Sequence, residues 1–440
     1  MRILIVLLYF IIYQSSLAQT SPNVILIIAD DMALGDISAL NGGLSKTPNI
    51  DGLIEQGIWF ENAYSASPVC APARASLLTG LYPHSTGVVT LSMLKYPELT
   101  RIKKELPTMA DIFKSNGYKT GLIGKWHSGL GKGYLPNDRG FDEFEGFLNY
   151  QYVPDYHNFD LNINGQDIHF SNEYLTEELS KRAIDFVNRH HDKPFFLHLA
   201  HYAPHRPLGA PEDRIKPYLD KGLAKETATV YAMIEIMDEG IGALLTELDG
   251  LGIRDNTMII FASDNGPDPM VAKRPNLGFN GTKYTVNEGG IKVPFVLQWN
   301  KLGSGSKSYP ITFIDVLPSL MELCALEYEL ETPFDGTSFF KTLTRDKAIP
   351  QRPLYWQWNR YIPEYSHNAA VRLGAWKYVR PYVTKEIPKN VSDRPAQLYN
   401  LVSDPYEEKD LLEDHPKKAK ELHQYLQQWT TLVESKRTKK

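Results

Sequence analysis

Cys70-Ala71-Pro72-Ala73-Arg74 is the stretch of this 440-residue chain whose residue types and spacing most invite chemistry. A proline at +2 and an arginine at +4 would follow a given cysteine by chance only about once in 400, at roughly 5% usage each. Pro72 suits the first turn of a helix, where its missing N–H has no partner to lose, and Gly80 marks that helix's end. A side chain at position 70 then faces unpaired backbone N–H groups and the positive end of the helix dipole, a setting that attracts anions. Arg74 adds a permanent cation one turn on. A lone cysteine is more often a small buried hydrophobe. The spacing, rather than the residue, singles this one out as a nucleophile for an anionic substrate.

Other polar groups share a placement. Asp30-Asp31, Lys125 with His127, His205, and Asp264-Asn265 each follow a run that reads as a strand. Any one of them alone could be a turn or a cap. Ligands of open parallel sheets bind beyond the carboxyl ends of the strands, so four loops deliver these groups to one edge. Asp30, Asp31, Asp264 and Asn265 form an all-oxygen set, which suits a hard divalent cation and disfavours zinc.

The elements that must hold these groups alternate along the chain. Continuous apolar runs at 23–29 and 257–262 read as strands buried on both faces, with further strands at 58–63, 118–124, 194–200 and 293–299. Helices are expected from Pro48, with Thr47 as N-cap and Gly57 closing, and over 106–115, 173–190 and 225–248. Residues 150–164 read as a loop and 303–308 as a Gly/Ser turn. This order predicts an α/β fold, a mainly parallel sheet sandwiched by helices. After about residue 345 a hairpin over 369–379, a strand at 398–401 and a helix over 416–434 predict a smaller C-terminal antiparallel sheet plus helix. A catalytic domain over 19–345 and a subdomain over 346–440 are the expected division.

Residues 1–18 read as a signal peptide: Arg2, an apolar run over 3–13 too short to span a bilayer, and a small-residue cleavage site ending at Ala18. The protein is therefore expected to be exported, periplasmic or secreted, without stable membrane insertion. Only Cys70 and Cys324 are present, and Cys324 lies in an apolar helical stretch, so packing rather than a disulfide must stabilise the fold. A net charge of −5 gives no overall attraction to nucleic acid.

On these residues the chain resembles the formylglycine-dependent (type I) sulfatases of the alkaline-phosphatase-like superfamily. There, Cys-x-Pro-x-Arg marks the cysteine for oxidation to formylglycine (3-oxoalanine) by a maturation enzyme. Leu78-Thr79-Gly80-Leu81-Tyr82-Pro83-His84, Gly124-Lys125-Trp126-His127 and Asn137-Asp138-Arg139-Gly140-Phe141-Asp142 resemble further stretches of that family. The likeness covers nearly the whole chain after residue 18, loosely between 145 and 195. Ala73 stands where many relatives carry Ser and Ser128 where Leu is frequent; neither touches the Cys, Pro and Arg of the mark.

The resemblance implies calcium, with magnesium as the fallback, held by Asp30, Asp31, Asp264, Asn265 and an oxygen of the modified Cys70. Hydrated formylglycine would offer two hydroxyls on one carbon, one to attack sulfur and one whose deprotonation expels sulfate. By the same resemblance Asp264 helps deprotonate the attacking hydroxyl and His127 is the base of the elimination. Arg74, Lys125 and Lys283 spread positive charge over the sulfate oxygens, and His205 with Lys283 holds the ester and protonates the leaving alkoxide.

Tyr152, His157, Trp358, Arg360 and Arg206 would suit a sulfated sugar ring, with ordinary packing of strand aromatics an equal alternative. A compact exported sulfatase resembles those bacteria use on polysaccharide fragments, so a sulfated oligosaccharide is the expected substrate. The nearest rival is a phosphonate monoester or phosphodiester hydrolase of the same superfamily. A non-catalytic sulfoglycan-binding protein is the rival from another class, should Cys70 stay unmodified.

Overall fold

A computed structural model of the chain describes residues 21–148, 153–345, 349–381 and 395–438; the leader-like stretch 1–18 and Tyr152 lie outside them. The run Asn23–Ala29 forms β1 with every residue buried, because an unbroken apolar stretch has no face to leave in water. In chain order follow β2 (Ile58–Phe60), β3 (Ala63–Tyr64), β4 (Lys119–Lys125), β5 (Glu143–Phe147), β6 (Asn158–Ile163), β7 (Gln166–Ser171), β8 (Phe195–Ala200), β9 (Thr257–Ser263), β10 (Phe295–Gln298) and β11 (Gly305–Lys307). All but β3 join one sheet in the order β11-β2-β10-β9-β1-β8-β4-β5-β6-β7. Its centre, β9-β1-β8-β4-β5, is parallel, so the carboxyl ends of these strands open on a single edge. The flanks β10, β6 and β7 run antiparallel to their neighbours.

Each face of the sheet carries its own apolar core. One gathers Phe60, Phe113, Phe196 and Leu317; the other gathers Phe186, Leu197, Met233, Ile241 and Leu244 beneath the helices Leu175–His190 and Lys225–Gly250. Beyond β12 (Ile311–Thr312), which pairs with β3, the strands β13 (Leu354–Gln357), β14 (Ala369–Leu373), β15 (Trp376–Arg380) and β16 (Gln397–Asn400) form the expected small antiparallel sheet. The closing helix Pro416–Thr438 buries Leu422, Leu426, Trp429 and Val433, and these join the first core rather than forming one of their own.

Three local expectations are corrected. The segment read as a loop over 150–164 contains β6, which turns back into β7 through Asn164-Gly165, both at positive φ (51° and 95°), as a two-residue hairpin requires. The Gly/Ser turn near 303–308 contains the edge strand β11. Thr47 is the N-cap residue of the helix Pro48–Gln56, but its side chain caps nothing. Asp238, from the long helix, instead accepts the N–H groups of Asn49 (3.0 Å) and Ile50 (2.8 Å). The signal was unreadable locally because the capping carboxylate lies 188 residues away.

A buried ionic group ties the small antiparallel sheet to the turn before β10. Lys377 of β15 sits 2.8 Å from Glu288 and 2.9 Å from Glu407, all three side chains buried, and Tyr64 donates to Glu288 at 2.7 Å. Removing one member of such a group leaves uncompensated buried charge. Lys377→Met is therefore expected to lower unfolding free energy by about 3–5 kcal/mol, read from urea denaturation.

Buried histidines give the fold a pH dependence. His84, bonded to Gln357 at 2.9 Å, is lowered to about 4 by burial, and His198 to about 3 by burial and then the charge of Arg74. The unfolded chain, with His near 6.5, binds protons that the folded chain refuses, so stability from these groups is complete above pH 6.5 and falls as pH drops toward 4. The urea midpoint should decline over that window, and less so in His84→Gln.

Candidate active site

Cys70 opens the helix Cys70–Thr79, which ends at Gly80 with φ 70°. A left-handed residue is needed there to stop the helix, and glycine adopts it without strain. The helix is buried along its length, so Cys70 and Arg74 point into the protein at the carboxyl edge of the sheet. Cys70 Sγ lies 3.3 Å from Asp30 Oδ1 and 3.9 Å from Asp31 Oδ1. The strand ends supply the rest. Asp30 and Asp31 leave β1, Lys125 closes β4, Asp264 and Asn265 leave β9, and His205 follows β8. Parallel pairing of these strands is the reason that residues hundreds of positions apart meet.

Three buried cations face three buried carboxylates. Arg74 Nε donates to Asp264 Oδ2 (2.8 Å), Lys125 bonds Asp30, and Lys283 Nζ lies 2.7 Å from Asp31 Oδ1. Arg74 Nη2 has no hydrogen-bond partner among the described residues, though it is buried. An unsatisfied guanidinium N–H in a dry site is costly unless an anion takes it up.

Burial and then Asp30 push the Cys70 thiol well above its ordinary value, so the unmodified residue keeps its proton. Burial raises the Asp31 carboxyl, but the Lys283 ammonium and the hydrogen bond from Asn265 more than offset this and hold it below the carboxylate range. Burial and the neighbouring Asp30 raise Asp264 to about 6, against Arg74 and Lys125. Burial and Lys125 lower His127, and burial and Lys283 lower His205, leaving both neutral. His205 Nδ1 meets the Arg206 carbonyl at 2.7 Å, and since a carbonyl only accepts, the neutral ring carries its proton there and presents Nε2 toward Asp31 (3.7 Å).

The ligand atoms of Asp30, Asp31, Cys70 and His205 all lie within 4.8 Å of one another. This set differs from the one read in the sequence. Asp264 spends Oδ2 on Arg74 and Oδ1 on the Asp31 N–H (3.2 Å), while His205 enters. Asn265 turns Nδ2 to Asp31 (2.6 Å) and leaves its buried Oδ1 without a hydrogen-bond partner among the described residues. An orphaned carbonyl oxygen beside two carboxylates is what a hard cation would satisfy, so the residues fit such an ion.

Backbone strain gathers at the same place. Asp31 (φ 66°), His127 (φ 51°) and Tyr284 (φ 82°) adopt left-handed conformations, which cost about 1–3 kcal/mol each and persist where the surroundings fix them. Behind Asn265, a Cβ on Gly266 would meet the Gly289 carbonyl at 2.0 Å, so only glycine lets the 264–266 turn approach the strand-preceding Glu288–Ile291 turn this closely.

The sulfatase family model matches residues 22–325. The chain belongs to the sulfatase family. It is 29% identical to an N-acetylgalactosamine-6-O-sulfatase of Bacteroides thetaiotaomicron over 92% of each chain. It is 30% identical to the N-acetylgalactosamine-6-sulfatase of Homo sapiens, over 77% of this chain and 69% of that one. Among solved structures, Ps i-CgsB in complex with k-i-k-neocarrahexaose superposes with a TM-score of 0.84 at 28% identity, covering 95% of this chain and 94% of that one. The protein is thus a sulfatase-family hydrolase, and its sheet with the small C-terminal antiparallel unit is that family's fold.

The residues read as sugar contacts scatter. Trp358 is 1% exposed, its ring 5.6 Å from that of Tyr284, so it packs behind the sulfatase site and offers no free face for stacking. His157 lies 5.1 Å from the Tyr174 ring, next to Tyr156, whose hydroxyl donates to the His205 carbonyl (2.9 Å). Arg360 holds Thr90 through its carbonyl and has a buried Nε with no hydrogen-bond partner among the described residues. Arg206 is partly exposed, 3.5 Å from Asp268 and 3.4 Å from the Tyr284 hydroxyl. Asp268 and Tyr284 carry no signal of their own in the sequence beyond their closeness in the chain to Asp264 and Lys283.

Proposed function

We propose that this sulfatase removes sulfate from a sulfated carbohydrate, a fragment of a polysaccharide, with Cys70 first oxidised to formylglycine. The observation that carries the reading is the buried Arg74 Nη2 beside Cys70, which makes no hydrogen bond among the described residues and lies 3.8 Å from Asp30 Oδ2, flanked by Lys125 and Lys283: a cation cradle at a nucleophile position. The relatives named above are N-acetylgalactosamine-6-sulfatases or were solved with k-i-k-neocarrahexaose, which supports a sulfated sugar here. The thiol itself suits neither a sulfate ester nor its surroundings, since burial and Asp30 keep it protonated. Hydrated formylglycine supplies the two hydroxyls that a sulfate transfer and release require.

In this reading Arg74, Lys125 and Lys283 hold the sulfate oxygens, where charge grows in the transition state. Asp264 takes a proton from the attacking hydroxyl; with its carboxyl raised to about 6 it is poised for that near neutral pH. Neutral His127 takes the second proton when sulfate leaves. His205 Nε2 and the Lys283 ammonium face the bridging oxygen, Lys283 being the group that arrives protonated. Asp30, Asp31 and the Asn265 carbonyl would hold calcium, or magnesium in its stead, with His205 and Asp264 at hand. The ion, when bound, polarises a sulfate oxygen. The leader-like stretch 1–18 supports action outside the cytoplasm, and no described helix is long and apolar enough to cross a membrane.

Defined sulfated mono- and disaccharides, assayed by release of inorganic sulfate beside matched phosphonate and phosphodiester substrates, test the reading. Sulfate release from the sugars is expected to dominate. Turnover of the phosphorus esters alone, or of none, would overturn it.

A further inference from the structure

We propose that Arg206, Asp268 and Tyr284 form the subsite for the leaving sugar, and that it takes a unit uncharged apart from its sulfate by two neighbouring hydroxyls. The inference rests on the sulfatase reading and names the substrate class of that site. Each of the three residues belongs to a loop that already supplies the reaction. Arg206 follows His205, Tyr284 follows Lys283, and Asp268 lies on the turn that leaves β9 through Asp264 and Asn265. They meet one another directly. Arg206 Nε lies 3.5 Å from Asp268 Oδ2, and Arg206 Nη2 donates to the Tyr284 hydroxyl at 3.4 Å.

Two observations mark this group as built for a ligand. Asp268, its side chain 8% exposed, turns Oδ1 to the Met270 N–H (2.9 Å) while Oδ2 accepts no hydrogen bond. Tyr284 holds φ 82°, a conformation rare for a bulky residue, because its N–H donates to the Pro68 carbonyl (2.9 Å) and its carbonyl accepts from Asn368 Nδ2 (2.7 Å). That strain aims the ring and hydroxyl beside Lys283, whose ammonium lies 5.8 Å from the ring centroid.

The chemistry follows from the pairing. A guanidinium beside a carboxylate oxygen offers a donor and an acceptor side by side, which matches a diol that accepts at one hydroxyl and donates from the other. Asp268 also offsets the charge of Arg206. The cation of this group, Arg206, is already offset by Asp268, so a sugar carboxylate would be set against a buried carboxylate: a uronate is selected against while a neutral hexose or hexosamine is taken.

The test uses the full formylglycine-bearing enzyme on methyl glycosides of a neutral hexose sulfated at each position, on the matching sulfated hexuronates, and on 4-nitrophenyl sulfate, which has no sugar to bind. The wild type should favour the hexose. Asp268→Asn should lower the sugar-to-aryl ratio of kcat/KM about tenfold, chiefly through KM, and narrow the preference over the uronate. Tyr284→Phe, which removes only a hydroxyl, should move the same ratio the same way if Asp268→Asn does not fold. An unchanged ratio in both variants, or a wild type that favours the uronate, would overturn the subsite while leaving the sulfatase reading intact. Failure of the wild type on every ester, the aryl one included, would overturn both.

Discussion

Cys70→Ala is expected to release sulfate at least about 10⁴-fold more slowly than the parent, as removal of a covalent nucleophile does elsewhere. Its stability should hardly change. Sγ makes long contacts to two carboxylates, at 3.3 and 3.9 Å, and carries no strong bond. The helix it opens is held by its own ladder and by Gly80, neither of which involves the sulfur. Loss of one buried sulfur atom costs on the order of 1 kcal/mol, small beside the effect on rate. Cys70→Ser should fail equally, because a serine hydroxyl is similar in size yet lacks the thiol that is oxidised. Parallel urea curves and sulfate-release assays decide the matter. A Cys70→Ala enzyme with more than a few per cent of parental turnover would remove covalent chemistry from the account.

The second large effect is expected at Asp31. Its carboxylate takes the Lys283 ammonium at 2.7 Å and the Asn265 amide at 2.6 Å, and lies 3.7 Å from His205. Asp31→Asn keeps the shape and tolerates the φ of 66°, since asparagine enters the left-handed region readily. What it removes is one negative charge. That leaves Lys283 buried beside a neutral amide and takes away a hard donor from the cation set. Turnover should fall about 10³-fold, the scale of losing a key electrostatic contact in a water-excluded site. The parent should gain thermal stability when calcium is added after chelation, and Asp31→Asn should gain far less. Equal calcium-induced shifts in the two proteins would show that the ion sits elsewhere.

Much of this site was legible because its residues sit where a parallel sheet must put them. Asp30-Asp31, Lys125 and Asp264-Asn265 each end a buried apolar run, and periodicity alone fixes the strand ends to within a residue or two. The Cys70 helix was readable at both ends, from Pro72 and Gly80. What escaped was set by distant partners. Asp238 caps a helix it does not neighbour in sequence, and the bond of Asp264 to Arg74 and the closeness of His205 to Asp31 depend on rotamers. The Asn164-Gly165 turn did carry a local signal, and it was lost among the aromatic residues before it. Trp358 shows the limit of composition: an aromatic beside an arginine reads like a sugar platform, yet its ring is spent on Tyr284.

The most direct measurement is the mass of the tryptic peptide Thr47–Arg74, bounded by Lys46 and Arg74, taken from enzyme batches of graded specific activity. Residue 70 should be found as the aldehyde, and sulfate-releasing activity should rise in proportion to the aldehyde fraction, extrapolating to zero where only thiol is present. Full activity in a batch whose peptide carries the intact cysteine would contradict the account.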